Sequence, residues 1–246
     1  MKENISIIIP ARLMSRRFPR KPLTRILGTP MVVCCAQNAI KTGLPVYVCT
    51  DSNEIEKVCK EYSINCILTP ECNSGTDRVA IAADYTETDY VINLQGDEPL
   101  IDHISLNKMI NCMSILTMED NSIISGVEPI SKEEAIDSKE VKCALTKSNS
   151  KIQYLSRQPL LNKTNQNNQF YYKQLGLYGF SRKTLKTFST LPVGDLEEVE
   201  RVELLRGLEN GFTIYSCILE NKTISIDTEK DLDKLASLIK NKNYFQ

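Results

Sequence analysis

Residues Ile5 to Ile9 form an apolar run, followed at once by Pro10. Such a run reads as a buried strand. The loop beyond it carries Arg12, Arg16, Arg17, Arg20 and Lys21. Arg25 and Lys41 bring the basic residues between Asn4 and Thr50 to seven, with no Asp or Glu among them, although the whole chain has a formal charge of only -1. Positive charge is thus concentrated just after the first strand, where an open α/β sheet places its ligand crevice. Cations crowded together without carboxylate partners point to a polyanion, most simply a triphosphate. A solvated basic face is the ordinary alternative for such a loop.

Strand and helix signals alternate through the first half. Pro30 to Ile40 reads as a helix with its proline in the first turn. Val46 to Cys49 reads as a buried strand that leads directly to Thr50 and Asp51. Asn53 can cap a helix running through Tyr62, and Cys66 to Leu68 resembles a short strand. Ser74-Gly75-Thr76-Asp77 opens another helix at Arg78. Tyr90 to Leu94 is the next strand, with Gln95-Gly96-Asp97-Glu98-Pro99 immediately after it. This alternation implies an α/β fold with a mostly parallel sheet and right-handed crossovers. Each polar cluster follows the carboxyl end of a strand.

The second half has a different character. Val141 to Thr146 and Ile152 to Leu155 read as strands about a polar turn, Lys147 to Lys151, and Asn162 to Gln169 reads as a polar loop. Leu175 to Phe180 is a strand, with Gly176 and Gly179 permitting bending or close approach. Leu196 to Leu208 is predicted as one amphipathic helix ended by Asn210-Gly211. Phe212 to Cys217 is a strand, and Thr228 to Lys240 a helix with Thr228 and Asp231 in capping-box spacing. No linker or repeat interrupts the chain, so one domain with an inserted antiparallel lobe is expected.

Composition excludes several functions. A sequence pI near 6.0 argues against general nucleic-acid binding. No stretch approaches the roughly 18 apolar residues of a membrane span, and the short N-terminal apolar run lacks the form of a signal peptide. Nine scattered Cys without a CxxC pair fit reduced thiols in a cytoplasmic protein. The single His, His103, leaves no basis for structural zinc or a Ser-His-Asp or Cys-His mechanism.

Asp97 is the foremost candidate for chemistry. A carboxylate at a strand's end beside Gly96 can hold Mg²⁺ over bound phosphates, because that ion uses one or two carboxylates plus phosphate oxygens and water. Starting a turn is the competing role. Glu98 and Asp51 are nearby candidates. Asp227 is a possible second ligand, although beside Thr228 a helix cap is its simpler use.

Eight segments in order carry a family resemblance: PARLMSRRFPRKPL (10–23), VCTD (48–51), NSGTDRVA (73–80), INLQGDEPLI (92–101), YLSRQP (154–159), LGLYGF (175–180), LEEVERVELLR (196–206) and SIDTEKDL (225–232). In register over nearly the whole chain, they resemble the 3-deoxy-manno-octulosonate (KDO) cytidylyltransferases. The resemblance implies a nucleotidyltransferase-like three-layer α/β fold. It places a nucleotide-binding part over about 1–125 and a sugar-binding and dimerisation part over about 126–215, with a C-terminal strand and helix returning to the core. It implies Mg²⁺-dependent transfer from CTP to a sugar acid in a cytoplasmic homodimer.

By the same resemblance, Arg12, Lys21 and Asp97 are catalytic. The nucleotide is contacted by Pro10, Ala11, Arg12, Ser15, Arg17, Lys21, Ser74, Gly75, Thr76, Arg78 and Gln95. Asp97 and Asp227 hold the metal, and Arg157, Gln174, Tyr178, Glu203 and Arg206 lie on the sugar side. Arg157 and Arg206 are equally compatible with ion pairing to helix acids such as Glu200 and Glu203.

The chain departs from the family pattern at a few places. Arg20 replaces a usual Gly before the loop lysine, SRQPLLN (156–162) replaces a usual SRxPIPY or SRxPIPW, Gln174 replaces a usual His, and Leu204 replaces a usual Gln. Gln174 can exchange hydrogen bonds but cannot become cationic, and Leu204 can do neither. The departures leave KDO, a related acid such as its 8-amino analogue or a nonulosonate, and a nucleotide-binding protein without turnover as the readings to separate.

Overall fold

The computed structural model describes residues 4–14, 18–115, 119–146, 150–160 and 171–241. Two compact units partition the chain, Met1–Asn107 with Lys222–Gln246, and Lys108–Asn221.

The first unit is built on four parallel strands in the order β5-β4-β1-β6. They are β1 (Ile5–Pro10), β4 (Val46–Thr50), β5 (Asn65–Leu68) and β6 (Tyr90–Leu94), and β1 is central, with Ile7 beside Val46 on one side and Ile92 on the other. Every residue of β1 is buried, which is why its sequence is nearly all apolar instead of alternating; the exception, Ser6, shares a hydrogen bond with the Thr88 hydroxyl at 2.7 Å. A small hairpin, β2 (Arg25–Ile26) and β3 (Thr29–Pro30), precedes helix α1 (Met31–Ile40). Pro30 stands at the N-cap of α1, next to the first turn. Helix α2 (Asn53–Glu61) is capped by Ser52, whose hydroxyl accepts from the Ile55 amide at 3.4 Å, so the cap falls on Ser52 and not on Asn53. Helix α3 is Gly75–Ala83. α1 packs on β1 and β4, α2 on β4 and β5, and α3 on β1, β4 and β6.

The C-terminal segment is bound to this unit by apolar packing. Ile226 and Leu235, the latter in helix α8 (Glu229–Asn241), join Phe18, Ile26, Met31, Cys34 and Leu100 in one core cluster. Burying such a side chain contributes on the order of 1.5–3 kcal/mol. Asp231 accepts from both the amide and the hydroxyl of Thr228 at 2.8 Å, as the capping-box spacing anticipates.

Helix α4 (His103–Ile115) leads out of the first unit. The second unit contains β7 (Ser122–Ile130), β8 (Lys142–Leu145), β9 (Lys151–Ser156), β10 (Tyr171–Ser181) and β11 (Thr213–Ile218), in the order β10-β7-β11-β9-β8. β10 pairs again with β8 at Lys173 and Lys142, so the pairings close on themselves. Four of these pairings are antiparallel, but β7 and β11 run parallel. The expected antiparallel lobe is therefore a mixed one.

The predicted single helix over 196–208 is two. α6 (Asp195–Glu200) and α7 (Leu204–Glu209) follow α5 (Arg182–Thr190), and Arg201 between them is left-handed at φ 57°. Glu197 and Arg206 form a bidentate pair at 2.7 and 3.1 Å. Nine residues apart in one helix they would lie on opposite sides and roughly 13 Å apart along the axis. The break folds α7 back so that they meet. The predicted turn at 147–151 lies largely, and the loop at 162–169 entirely, outside the described residues.

Candidate functional site

The end of β1 sets the first boundary of the site. The Ala11 amide donates to the Cys49 carbonyl at 2.9 Å, holding Pro10 and Ala11 down as buried backbone. Arg12 follows, exposed and without a side-chain ion pair or hydrogen bond among the described residues. Ser15 and Arg17 lie outside the described residues. The chain resumes at Phe18, whose ring anchors the loop in the core cluster.

Arg20 then takes the left-handed conformation, φ 60° and ψ 20°. This conformation accounts for a glycine being usual there. Arg20 pairs with Glu54 of α2 through both guanidinium nitrogens. Its backbone turn puts Lys21 at the head of a 3₁₀ turn, Lys21–Leu23, which buries Pro22.

The end of β6 supplies the second boundary. Gly96 is required by close approach, because a Cβ there would stand 2.8 Å from the Pro10 carbonyl oxygen. The loop is also tied to the C-terminal segment. The Ile226 amide donates to the Asp97 carbonyl at 2.9 Å, and the Ser225 hydroxyl donates to the buried Glu98 carboxylate at 2.5 Å. These two bonds bring Asp227 beside Asp97. Lys21 Nζ donates to Asp97 Oδ2 at 2.7 Å and to Asp227 Oδ1 at 3.3 Å. Burial pulls the pKa of this ammonium down, but Asp97 and then Asp227 outweigh it and hold the value above that of an ordinary lysine.

The N-terminus of α3 lies alongside. Ser74 caps it, accepting from the Asp77 amide at 3.0 Å. The Gln95 amide nitrogen donates to Asn93 Oδ1 at 3.2 Å, and Asn93 Nδ2 donates to the Thr76 hydroxyl at 3.1 Å. Gly75 leaves room for the Gln95 head, which a Cβ would approach to 2.7 Å. Arg78, in contrast, is 2% exposed. Its guanidinium is engaged by Asp51 and the Thr69 hydroxyl, each at 2.6 Å, so it braces the ends of β4 and β5 from beneath.

The remaining predicted residues belong to the second unit. Gln174 Nε2 donates to the Tyr178 hydroxyl at 3.2 Å, and Glu203 is half-buried at the start of α7. Arg206 is committed to Glu197 and lies over the Phe188 ring at 5.0 Å. An acid outside the expected Glu200 and Glu203, Glu197, thus pairs with it. Arg157 donates to the carbonyls of Glu200 at 3.0 Å and Lys139 at 2.8 Å, and its amide meets the Glu200 carboxylate at 2.8 Å. It closes the C-terminal end of α6. Leu204 is fully buried, so the missing Gln there is replaced by core packing.

Sequence reasoning passed over Glu54, Asn93, Glu197 and Ser225. Ser225 stands two residues before Asp227 and Asn93 two before Gln95, so a search of strand-end neighbours would have found both. The pairings of Glu54 with Arg20 and Glu197 with Arg206 have no local signal. Among the described residues no group of three or more His, Cys, Asp or Glu converges as a ready-made metal cage. A pair of carboxylates is within the one or two that Mg²⁺ uses when phosphates and water complete its shell.

Comparison with known proteins agrees with this layout. A family model described as cytidylyltransferase matches residues 6–224. The 3-deoxy-manno-octulosonate cytidylyltransferase of Wolinella succinogenes is 37% identical over 237 residues, 93% of this chain and 96% of the relative. The 8-amino-3,8-dideoxy-manno-octulosonate cytidylyltransferase of Shewanella woodyi is 36% identical over 93% of this chain and 96% of its own length. The solved structure of CMP:2-keto-3-deoxy-manno-octonic acid synthetase complexed with CTP matches with a TM-score of 0.89 at 30% identity, covering 96% of this chain and 98% of that one. The fold and these relatives define the class, an α/β nucleotidyltransferase. The chain belongs to the cytidylyltransferase family.

Proposed function

We propose that the protein couples CTP to a 2-keto-3-deoxy sugar acid, KDO in the first instance, giving the CMP-sugar and pyrophosphate. The observation that carries this reading is the meeting of Lys21, from the basic loop, with Asp97 beyond the end of β6 and Asp227 just before α8. The sugar's anomeric hydroxyl attacks the α-phosphorus, the bond to the bridging oxygen breaks, and pyrophosphate leaves with the negative charge. No protein nucleophile is needed, so positioning and charge neutralisation supply most of the rate.

In this reading Arg12 and Lys21 hold the triphosphate, with Ser15 and Arg17 in the same loop. Pro10, Ala11, Ser74, Gly75 and Thr76 shape the nucleotide's surroundings, and Gln95 offers its amide head. Arg78 acts at one remove, by bracing Asp51 and Thr69. Asp97 and Asp227 suit Mg²⁺ because both are hard oxygen donors already drawn to one cation. When bound, that ion would neutralise phosphate oxygens and help orient the attacking hydroxyl. Gln174, Tyr178 and Glu203 are assigned to acceptor recognition, whereas Arg157 and Arg206 are assigned to the frame. A product of this kind supplies lipopolysaccharide or capsule assembly, and a cytoplasmic homodimer is the form proposed.

A second acceptor class is favoured by one specific feature. Gln174 is a neutral hydrogen-bonding residue joined to Tyr178, and relatives named for the 8-amino acid are as similar as those named for KDO. Pyrophosphate release with Mg²⁺ separates these readings when CTP and UTP are each paired with KDO, 8-amino-KDO, N-acetylneuraminate and a hexose 1-phosphate. Release confined to CTP and KDO is expected. Release with CTP and another acid moves the assignment to that acid, and release from no pair removes the enzymatic reading.

A further inference from the structure

We propose that Lys21 is the resident counter-ion of the Asp97–Asp227 pair in the nucleotide-free protein, and that a divalent cation gains those carboxylates only when a triphosphate draws the lysine away. The inference rests on the reading that Asp97 and Asp227 are the metal ligands. It adds an order of events, nucleotide before metal, and gives Lys21 a second task besides phosphate contact.

The geometry supports this in three ways. First, one ammonium nitrogen contacts a carboxylate oxygen of each aspartate, at 2.7 and 3.3 Å, across 76 and 206 residues of sequence. An ammonium lying between two carboxylates occupies the position a shared cation needs. Second, the three side chains are only 14%, 29% and 26% exposed. Water therefore screens the contacts weakly, and an ammonium and a dication held together there would repel strongly. Third, the lysine backbone is held by the 3₁₀ turn, while only the ammonium end of its rotatable stem is engaged, by the two aspartates. The Lys21 amide donates to the Phe18 carbonyl, the Thr24 amide donates back to Lys21, and buried Pro22 follows. The four-carbon stem can carry the ammonium from the carboxylates to a phosphate without a change in the loop.

The coupling is reciprocal. A triphosphate that recruits Lys21 raises the carboxylates' affinity for metal, and metal on the carboxylates raises affinity for triphosphate by the same factor. In the absence of nucleotide the lysine also offsets the repulsion between two adjacent carboxylates.

Mn²⁺ binding to the nucleotide-free protein, read by the paramagnetic resonance of free Mn²⁺, tests the proposal on wild type, Lys21→Met, Asp97→Asn and the double variant. Lys21→Met is expected to bind Mn²⁺ at least about tenfold more tightly than wild type, since a nearby like charge is removed. The gain should vanish in the double variant. Lys21→Met should also gain thermal stability from Mg²⁺ where wild type gains little. A Lys21→Met protein that reaches its native far-ultraviolet circular dichroism only with Mn²⁺ supports the proposal equally.

Equal Mn²⁺ affinity in wild type and Lys21→Met, both weakened by Asp97→Asn, overturns the counter-ion role while leaving the ligand assignment standing. Mn²⁺ binding that Asp97→Asn leaves unchanged, both without and with CTP, overturns the ligand assignment and this inference with it.

Discussion

At the scale of single residues, Arg20 shows how a site tolerates a departure from its family's pattern. A non-glycine residue in the left-handed region loses about 1 kcal/mol or more, and an exposed ion pair returns at most about 1 kcal/mol. Arg20 is exposed and has both. Arg20→Gly should therefore change stability by less than about 0.5 kcal/mol, while Arg20→Ala, which keeps the strain and loses the pair, should be less stable than Arg20→Gly by about 1 kcal/mol. Urea midpoints of the three proteins check the ranking. Asp97 carries the opposite balance, since its side chain is partly exposed beside Lys21 and contributes little to packing. Asp97→Asn should lower turnover by roughly two orders of magnitude or more, measured as pyrophosphate release, with a circular dichroism spectrum like that of wild type.

At the scale of elements, α6 and α7 depend on one buried pair. Arg206 and Glu197 are almost wholly inaccessible, so removing one partner strands a charge. Glu197→Gln should destabilise the protein by about 3 kcal/mol, and Glu197→Leu with Arg206→Met should be less harmful than the sum of the single changes. A double-mutant cycle in urea measures the difference. Helix α1 makes a separate prediction through Cys34. Burial raises its thiol from 9.0 to about 11. A raised pKa contributes stability that is complete below pH 9 and is lost as pH climbs towards 11. The loss is up to about 3 kcal/mol for this one group. Cys35 and Cys49 are raised in the same direction by burial. Cys34→Ala should make the fall in stability between pH 9 and 11 shallower, and a series of urea titrations would show it.

At the scale of the whole molecule, ligand and fold are linked. A nucleotide that binds only the native state adds about 2.7 kcal/mol at one hundred times its dissociation constant, or about 5–10 °C in Tm for a chain of this size. CTP with Mg²⁺ should produce such a shift in thermal unfolding, and UTP at the same concentration should produce a smaller one. No helix among the described residues is long and apolar enough to cross a membrane.

The legible part of the chain was the part governed by local chemistry. The strand Tyr90–Leu94 stands where residue type put it, and the helix expected from Arg78 starts three residues earlier, at Gly75, because a buried parallel strand is mainly apolar and a helix start needs a capping oxygen, here that of Ser74. The hairpin at residues 25–30 escaped notice because its turn, Leu27-Gly28, reaches positive φ without the usual Asn-Gly or Asp-Gly signature. The break at Arg201 was hidden for a different reason. Apolar periodicity continues through it, and what favours two helices is a set of non-local contacts, Glu197 with Arg206, the Leu196 amide with Glu209, and Arg157 on the Glu200 carbonyl. The sequence by itself determined the α/β alternation, the basic loop and the strand-end position of Asp97, since each is a property of neighbours along the chain. The resemblance paired Asp227 with Asp97, but only the tertiary structure showed that both stand around Lys21, and that Arg78, Arg157 and Arg206 are engaged by groups of the protein itself. Those outcomes depend on which distant groups can satisfy a charge withdrawn from water, and spacing along the chain does not carry that information.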